Sequence, residues 1–222
     1  MSRVVLKLGG RVAAESAGEA LALRAAGHDV VVVHGAGPQI SSELERLGIP
    51  VTFVAGRRVT DPRTLAVVRA SLRAVGAELT AALGPAAVPL MGDEIGLEAV
   101  PVPELGLVGD PLPCRPPLIE ELLAAGRIPV VAPLAVGPLN VNADEAASAL
   151  AVGLGADRLV FVSDVPGVYL DGAVAARIEA SQADRLLDAG ALEGGIVPKL
   201  LAAVRAARLG VRAEIGVTEV AA

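Results

Sequence analysis

The chain has 222 residues, of which 53% are hydrophobic and 20% charged, enough apolar material for a packed core and too much for a disordered chain. Its net charge is −6, and its aromatics are limited to Phe53, Phe161 and Tyr169; a general nucleic-acid or anionic-membrane surface is disfavoured, and so is base stacking. One cysteine, Cys114, and two histidines, His28 and His34, leave no disulfide framework and argue against a His/Cys zinc site; a lone cysteine fits a reducing cytosol.

The opening MSRVVLKLGG reaches glycines before any long apolar run, so no signal peptide is expected. No window of about 18 uninterrupted apolar residues suggests a membrane span. Residues 3–8 (RVVLKL) read as a strand buried on both faces, which suits a parallel sheet. Lys7 interrupts this run, and Gly9 and Gly10 follow it. Glycines there let a phosphate approach backbone N–H groups; an exposed lysine at a strand-end turn accounts for the stretch equally well. A helix is predicted over 13–26, ending before Gly27, and a strand over 29–35. VHGAGPQI (33–40) then repeats the pattern of strand, glycines and helix, with Pro38 opening a helix over 38–47 that ends at Gly48. Neither turn has the spacing of a P-loop or a dinucleotide fingerprint.

GRRVTD (56–61) places Arg57 and Arg58 side by side in an acidic protein. Arginine is the natural bidentate partner of a carboxylate, although a solvated loop explains the pair as well. Asp61 as N-cap and Pro62 at the first helical position start a long helix over 62–83. Residues 85–114, rich in Gly and Pro, read as β-hairpins protruding from the sheet, with Cys114 a structural residue in a loop. A helix over 116–125 ends at Gly126, and a strand follows over 128–133. The stretch with Asn140 and Asn142 leads into a helix over 144–153, for which Asp144 at its start is a candidate cap. The strand 157–164 ends in Asp164, which opens a Pro-Gly turn, and helices are predicted over 180–189 and 195–209. Lys199 stands in the first turn of the last helix, where it opposes the helix dipole unless an anion is nearby. Strand–helix alternation of this kind implies an α/β fold: an open, mainly parallel sheet sandwiched by helices, in two lobes at about 1–135 and 136–222 that share one sheet. Ligands of such sheets bind at strand ends.

VVLKLGG, VVVHGAGPQI, GRRVTD, LNVNADEAASALAVGLGAD, VSDVPGVYLDG and GGIVPKLLAA occur in this order over nearly the whole chain. Together they resemble the amino-acid kinase family, and GRRVTD beside NVNAD resembles its acetylglutamate branch. The resemblance implies in-line transfer of a phosphoryl group from ATP to the γ-carboxylate of N-acetyl-L-glutamate in arginine biosynthesis. It also implies Mg²⁺ held mainly by the ATP phosphates, a cytoplasmic homodimer, an N-terminal lobe for acceptor binding and dimerisation, and a C-terminal lobe for ATP. Lys7 and Lys199 would stabilise the transferring group and Asp144 would orient them. Gly9 and Gly10 would approach the phosphates, and Gly35, Ala36 and Gly37 would lie near the reacting carboxylate. Arg58 and Asn140 would hold the α-carboxylate. Ser163, Asp164, Val165, Pro166, Gly167, Val168, Tyr169 and Leu170, with Ala191, Leu192 and Glu193, would line the nucleotide site. An ionised carboxylate needs no general base to attack, so the scarcity of histidine fits this chemistry.

Four departures from the family pattern stand out. Ala36 takes the middle place of a turn that is usually His-Gly-Gly-Gly, and Gly76 and Ala77 stand where an Asn-Lys pair is common. The tail VRAEIGVTEVAA lacks the usual final Gly-Thr strand. The extra N-terminal helix of arginine-sensitive hexamers is absent, so a dimer without arginine feedback is expected. The alternatives are a kinase for aminoadipate or glutamate carried on a small acidic protein, and a non-catalytic amino-acid or nucleotide sensor of the same fold.

Overall fold

The computed structural model describes residues 2–9, 17–162, 165–170 and 172–222. The chain opens with β1 (Arg3–Leu8), α1 (Ala17–Ala25), β2 (Asp29–His34) and α2 (Gly37–Arg46). A hairpin of β3 (Phe53–Val54) and β4 (Arg57–Arg58) leads into α3 (Pro62–Leu83) and β5 (Ala87–Met91). A second hairpin, β6 (Ala99–Pro101) and β7 (Gly109–Pro111), precedes α4 (Pro117–Ala124), β8 (Ile128–Ala132) and the short pair β9 (Leu134–Ala135) and β10 (Leu139–Asn140). Then come α5 (Ala143–Gly153), β11 (Arg158–Val162), the pair β12 (Tyr169–Leu170) and β13 (Ala173–Val174), and β14 (Arg177–Glu179). The chain closes with α6 (Ala180–Asp188), α7 (Ile196–Arg208), β15 (Arg212–Ile215) and β16 (Thr218–Ala221).

Eight strands form one sheet in the order β14-β16-β15-β11-β1-β2-β8-β5, parallel except for the β15–β16 pair. The expected open, mainly parallel α/β sheet is present. Successive residues of a strand face opposite sides, and β1 obeys this. Val4, Leu6 and Leu8 pack among α1, α2 and α3, whereas Val5 packs with the residues of α4, α5, α6 and α7. Lys7 falls on the Val5 side by the same period, so its side chain emerges under α5 at the C-terminal end of β1. The core is aliphatic on both faces, with Phe161 the largest fully buried side chain.

The predicted helices stand within a residue or two of their predicted ends, within the usual scatter of helix termini. The start of the 13–26 helix lies outside the described residues up to Ser16. Asp61 caps α3 as expected, accepting from Thr64 N at 2.6 Å. Asp144 does not cap α5: Asn142 does, accepting from Asp144 N at 2.8 Å and Glu145 N at 3.2 Å. The helix starts one residue earlier than predicted, which leaves the Asp144 carboxylate free for other work.

Residues 85–114 are only in part hairpin. β6 and β7 pair as one, but β5 joins the central sheet beside β8. Pro89 obscured this strand, since proline lacks a donor; β5 is an edge strand, where that lack is tolerated. The tail also differs from expectation. Arg212–Ile215 and Thr218–Ala221 form two sheet strands around a two-residue turn, with Gly216 at φ 55°. Charged Arg212 and Glu214 hid the strand, and Gly-Val is a weak hairpin signal. A Cβ at Gly216 would lie 2.2 Å from Pro166 O, so the position admits only glycine on both counts.

Gly153 in the last turn of α5 lets the helix press against the Cys114 loop: a Cβ there would come within 2.0 Å of Cys114 O. We expect Gly153→Ala to destabilise the protein by roughly 1–3 kcal/mol in urea denaturation, despite alanine's better helix propensity.

Candidate active site

A cavity of about 580 Å³ opens at the C-terminal ends of β1 and β2. Lys7, Gly9, Gly35, Ala36, Gly37, Arg58, Asn140, Asp144 and Lys199 all line it. The structure therefore brings together every described residue expected for catalysis and acceptor binding. Phe53, Arg57, Leu72, Val108 and Asn142 line it too.

At one end Lys7 Nζ stands 2.8 Å from Asp144 Oδ1, with both side chains only 7% exposed. That carboxylate oxygen lacks a hydrogen-bond partner of good alignment, so the contact is mainly one of charge. The first turn of α5 aims Asp144 at β1 because Asn142 takes over the capping. Lys199 reaches the same cavity from the start of α7, where its ammonium donates to Gly195 O at 3.2 Å. The contact seen for Asp144 is thus with Lys7, and Lys199 faces the cavity beside the open N-terminus of α7. That terminus has Gly195 as N-cap and no acid in its first turn, an arrangement favourable to an anion.

The glycine turn forms the wall between β2 and α2. A Cβ on Gly35 would meet Ala143 Cβ at 3.5 Å, an ordinary contact, so the turn runs close along the start of α5. Ala36 is buried at φ −142°, outside the left-handed region, so its methyl costs no backbone strain. Beneath the turn His34 is 1% exposed. Burial pulls it down to about 4, partly opposed by the Gly35 backbone, so the ring is neutral at pH 7. A Cβ on Gly76 would lie 3.1 Å from His34 Nε2. Glycine at this point of α3 thus makes room for the ring, while Ala77 beside it is exposed.

At the other end GRRVTD divides its labour residue by residue. Arg57 donates to Glu145 Oε1 at 2.8 Å and is ion-paired with Asp110. Arg58 is 7% exposed; it donates to Ser41 Oγ at 2.9 Å and Gly37 O at 3.3 Å, and stacks 4.6 Å from the Phe53 ring. Among the described residues it has no carboxylate partner, and its Nη1 has no hydrogen-bond partner. Burial lowers the Arg58 pKa from its usual value, yet a guanidinium stays charged in proteins. Thr60, fully buried, donates to Arg58 O at 2.8 Å and accepts from Asn140 Nδ2 at 3.0 Å, which fixes Asn140 beside Arg58.

The residues expected at the nucleotide site are more dispersed. Gly10, Ser163 and Asp164 lie outside the described residues. Pro166 and Gly167 pack on the β15–β16 turn, where Pro166 O accepts from Val217 N at 2.7 Å. Val168 is wholly buried, and its N–H donates to Thr218 Oγ1 at 2.9 Å. Val165, Tyr169, Ala191 and Glu193 are exposed, while Leu170 and Leu192 pack partly on the core. Of the described set, Gly9 alone lines the cavity.

Sequence reading missed Phe53, Ser41, Thr60 and the Arg57 ion pairs as parts of the site. Phe53 and Thr60 had a readable signal: an aromatic in a chain with so few, and a polar residue inside GRRVTD. Ser41 and the partners of Arg57 had none, because they meet only in space.

The chain belongs to the amino acid kinase family, whose model matches residues 2–216. It is 42% identical over 224 residues to an acetylglutamate kinase of Rubrobacter xylanophilus, covering 97% of this chain and 88% of that one. An acetylglutamate kinase of Geobacillus kaustophilus is 41% identical over 218 residues, covering 91% and 84%. Among solved structures, a Streptococcus mutans protein superposes with a TM-score of 0.90 at 30% identity, covering 99% of this chain and 98% of that one.

His34 predicts a pH effect on stability. Its folded pKa of about 4 is below the unfolded value of 6.5, so between these values the unfolded chain binds a proton that the folded chain does not. Stability therefore falls as pH drops from about 6.5 to 4, by up to roughly 3 kcal/mol from this residue. Urea titrations at pH 7.5 and 4 should show wild type losing that much more than His34→Gln.

Proposed function

We propose that the chain transfers the γ-phosphoryl group of ATP to the γ-carboxylate of N-acetyl-L-glutamate, forming the acyl phosphate and ADP, as a step of arginine biosynthesis. The observation that carries this reading is the buried Arg58 guanidinium, which lines the cavity without a carboxylate partner among the described residues while Lys7 and Lys199 line the same cavity. A buried donor left unsatisfied costs about 1–3 kcal/mol, and a carboxylate entering the cavity would recover it. The likeness to acetylglutamate kinases over nearly the full chain supports this choice of acceptor.

In this reading Arg58 and Asn140 hold the α-carboxylate, and Gly35, Ala36 and Gly37 flank the reacting γ-carboxylate. An oxygen of that carboxylate attacks the γ-phosphorus, and the bond to the β,γ-bridging oxygen breaks with its electron pair leaving on ADP. No proton has to move at the acceptor. Lys7 and Lys199 offset charge on the transferring group, and Asp144 keeps Lys7 in place. Gly9, Gly10 and the start of α7 receive phosphates, and the segments Ser163 to Leu170 and Ala191 to Glu193 hold the rest of the nucleotide. The C-terminal half, 136–222, would then be the ATP lobe and 1–135 the acceptor lobe. Bound Mg²⁺ would neutralise phosphate charge and orient the nucleotide. Asp144, the one acid lining the cavity among the described residues, is engaged by Lys7, which fits a metal carried on the phosphates.

A carrier-protein substrate is less well supported. Such a partner wants a basic surface, and Arg57 of the consecutive Arg57–Arg58 pair is neutralised by Asp110 and Glu145. We also infer a cytoplasmic homodimer. β5 ends the sheet with its outer edge unpaired among the described residues, beside a second cavity of about 240 Å³ lined by α3 and β5 residues.

Lys199→Ala should lower kcat by about 10²–10³ without changing Tm, and Lys7→Ala by a similar factor with some loss of Tm, since Asp144 then stays buried without it. Arg58→Ala should raise KM for N-acetyl-L-glutamate by about 10- to 100-fold and leave KM for ATP nearly unchanged. Coupled ADP-release assays check all three; an unchanged kcat in either lysine variant would sink the mechanism. Light scattering on the purified chain should give twice the chain mass, and the monomer mass would exclude the dimer.

A further inference from the structure

Arg57 and Arg58 are consecutive on β4, yet their side chains meet opposite surroundings. Arg58 lines the cavity and has no carboxylate partner among the described residues. Arg57 meets two, Glu145 at 2.8 Å and Asp110 in close contact. The hairpin carrying them is slight. Its ladder is only Phe53↔Arg58 and Val54↔Arg57, its turn holds Ala55 at φ 48° and Gly56 at φ 78°, and Phe53 and Val54 are about half exposed (53% and 50%). A ladder this short does not hold itself in place, so tethers from outside must locate Arg58. At its base Val59 N donates to Thr52 O at 3.0 Å and Thr60 N to Leu105 O at 2.9 Å. Arg58 itself bonds Ser41 Oγ and Gly37 O of α2, and nearer the tip the Arg57 guanidinium ties the hairpin to α5 and β7.

Its two partners lie on the other parts of the site. Glu145 is the neighbour of Asp144 in the first turn of α5, and Asp144 meets Lys7. Asp110 is on β7, close in sequence to Val108, which bridges to Asn140. Burial raises the Glu145 carboxyl, even though Arg57 pulls it down, and its Oε2 has no hydrogen-bond partner. An acid kept at such a cost is better explained by what it positions than by what it stabilises.

We propose that Arg57 is a positioning residue: its ion pairs to Glu145 and Asp110 clamp the β3–β4 hairpin onto α5 and β7. They thereby set the distance between an acceptor carboxylate on Arg58 and the Lys7–Asp144 pair. The kinetic side of this inference rests on the kinase reading above; the mechanical side does not.

The test compares wild type with Arg57→Gln, Arg57→Lys, Glu145→Gln and the double Arg57→Gln/Glu145→Gln variant. Kinetics with ATP and N-acetyl-L-glutamate are read beside hydrogen exchange of peptides covering residues 52–60. Each Gln variant should raise KM for the acceptor by about tenfold with KM for ATP within about twofold, and the double variant should be no worse than the worse single one. Arg57→Lys should restore part of the loss. Exchange should accelerate in the 52–60 peptides and stay unchanged in the sheet. Unchanged acceptor KM and hairpin exchange, strictly additive effects, or faster exchange throughout the protein would each overturn the clamp. A wild type that does not turn over this acceptor would refute the proposed function instead, and exchange in residues 52–60 would then decide the clamp alone.

Discussion

The Lys7–Asp144 pair is the constraint around which the rest of the molecule is arranged. A lysine in the middle strand of an aliphatic sheet has nowhere to put its charge unless an acid comes to it. Burying either ion alone costs several kcal/mol. Asp144 can come only because α5 packs across β1 and begins above its C-terminal end. It can point downward only because Asn142 relieves it of capping. The glycine turn passes the start of α5 at Gly35, near Ala143. A single buried ion pair therefore dictates the helix start and the place of the cavity.

The remaining charge in the site follows the same economy. Arg57 is matched by two carboxylates, and Arg58 beside it by none among the described residues, although the chain carries a net charge of −6. Phe53, one of very few aromatics, shields that guanidinium through its ring face, a contact that weakens no hydrogen bond and leaves Nη1 available. Neutral His34 supports the turn below without adding a second positive charge.

Much of this was legible beforehand. Apolar runs interrupted at their C-terminal ends by Lys7 and the glycine turns announced both a parallel sheet and the end of it where the cavity opens. GRRVTD and NVNAD pointed to residues that line it. The roles within them were less legible. Asp144 and Asn142 are both good capping residues, and only the backbone decides which caps. Pro89 and the charged tail hid three strands, because an edge position or a partner strand, not local propensity, stabilises them.

What the sequence by itself determined is the periodic burial: which face of β1 carries Lys7, where the helices start and stop, and which residue types stand at the strand ends. Those follow from local stereochemistry and from the period of apolar residues. Only the tertiary structure decided which charges meet. That Arg57 finds Glu145, 88 residues away, and that Arg58 finds no acid among the described residues, depends on how α5 crosses the sheet. Charge pairing is a matter of a few ångströms between distant segments, and no spacing along the chain encodes it.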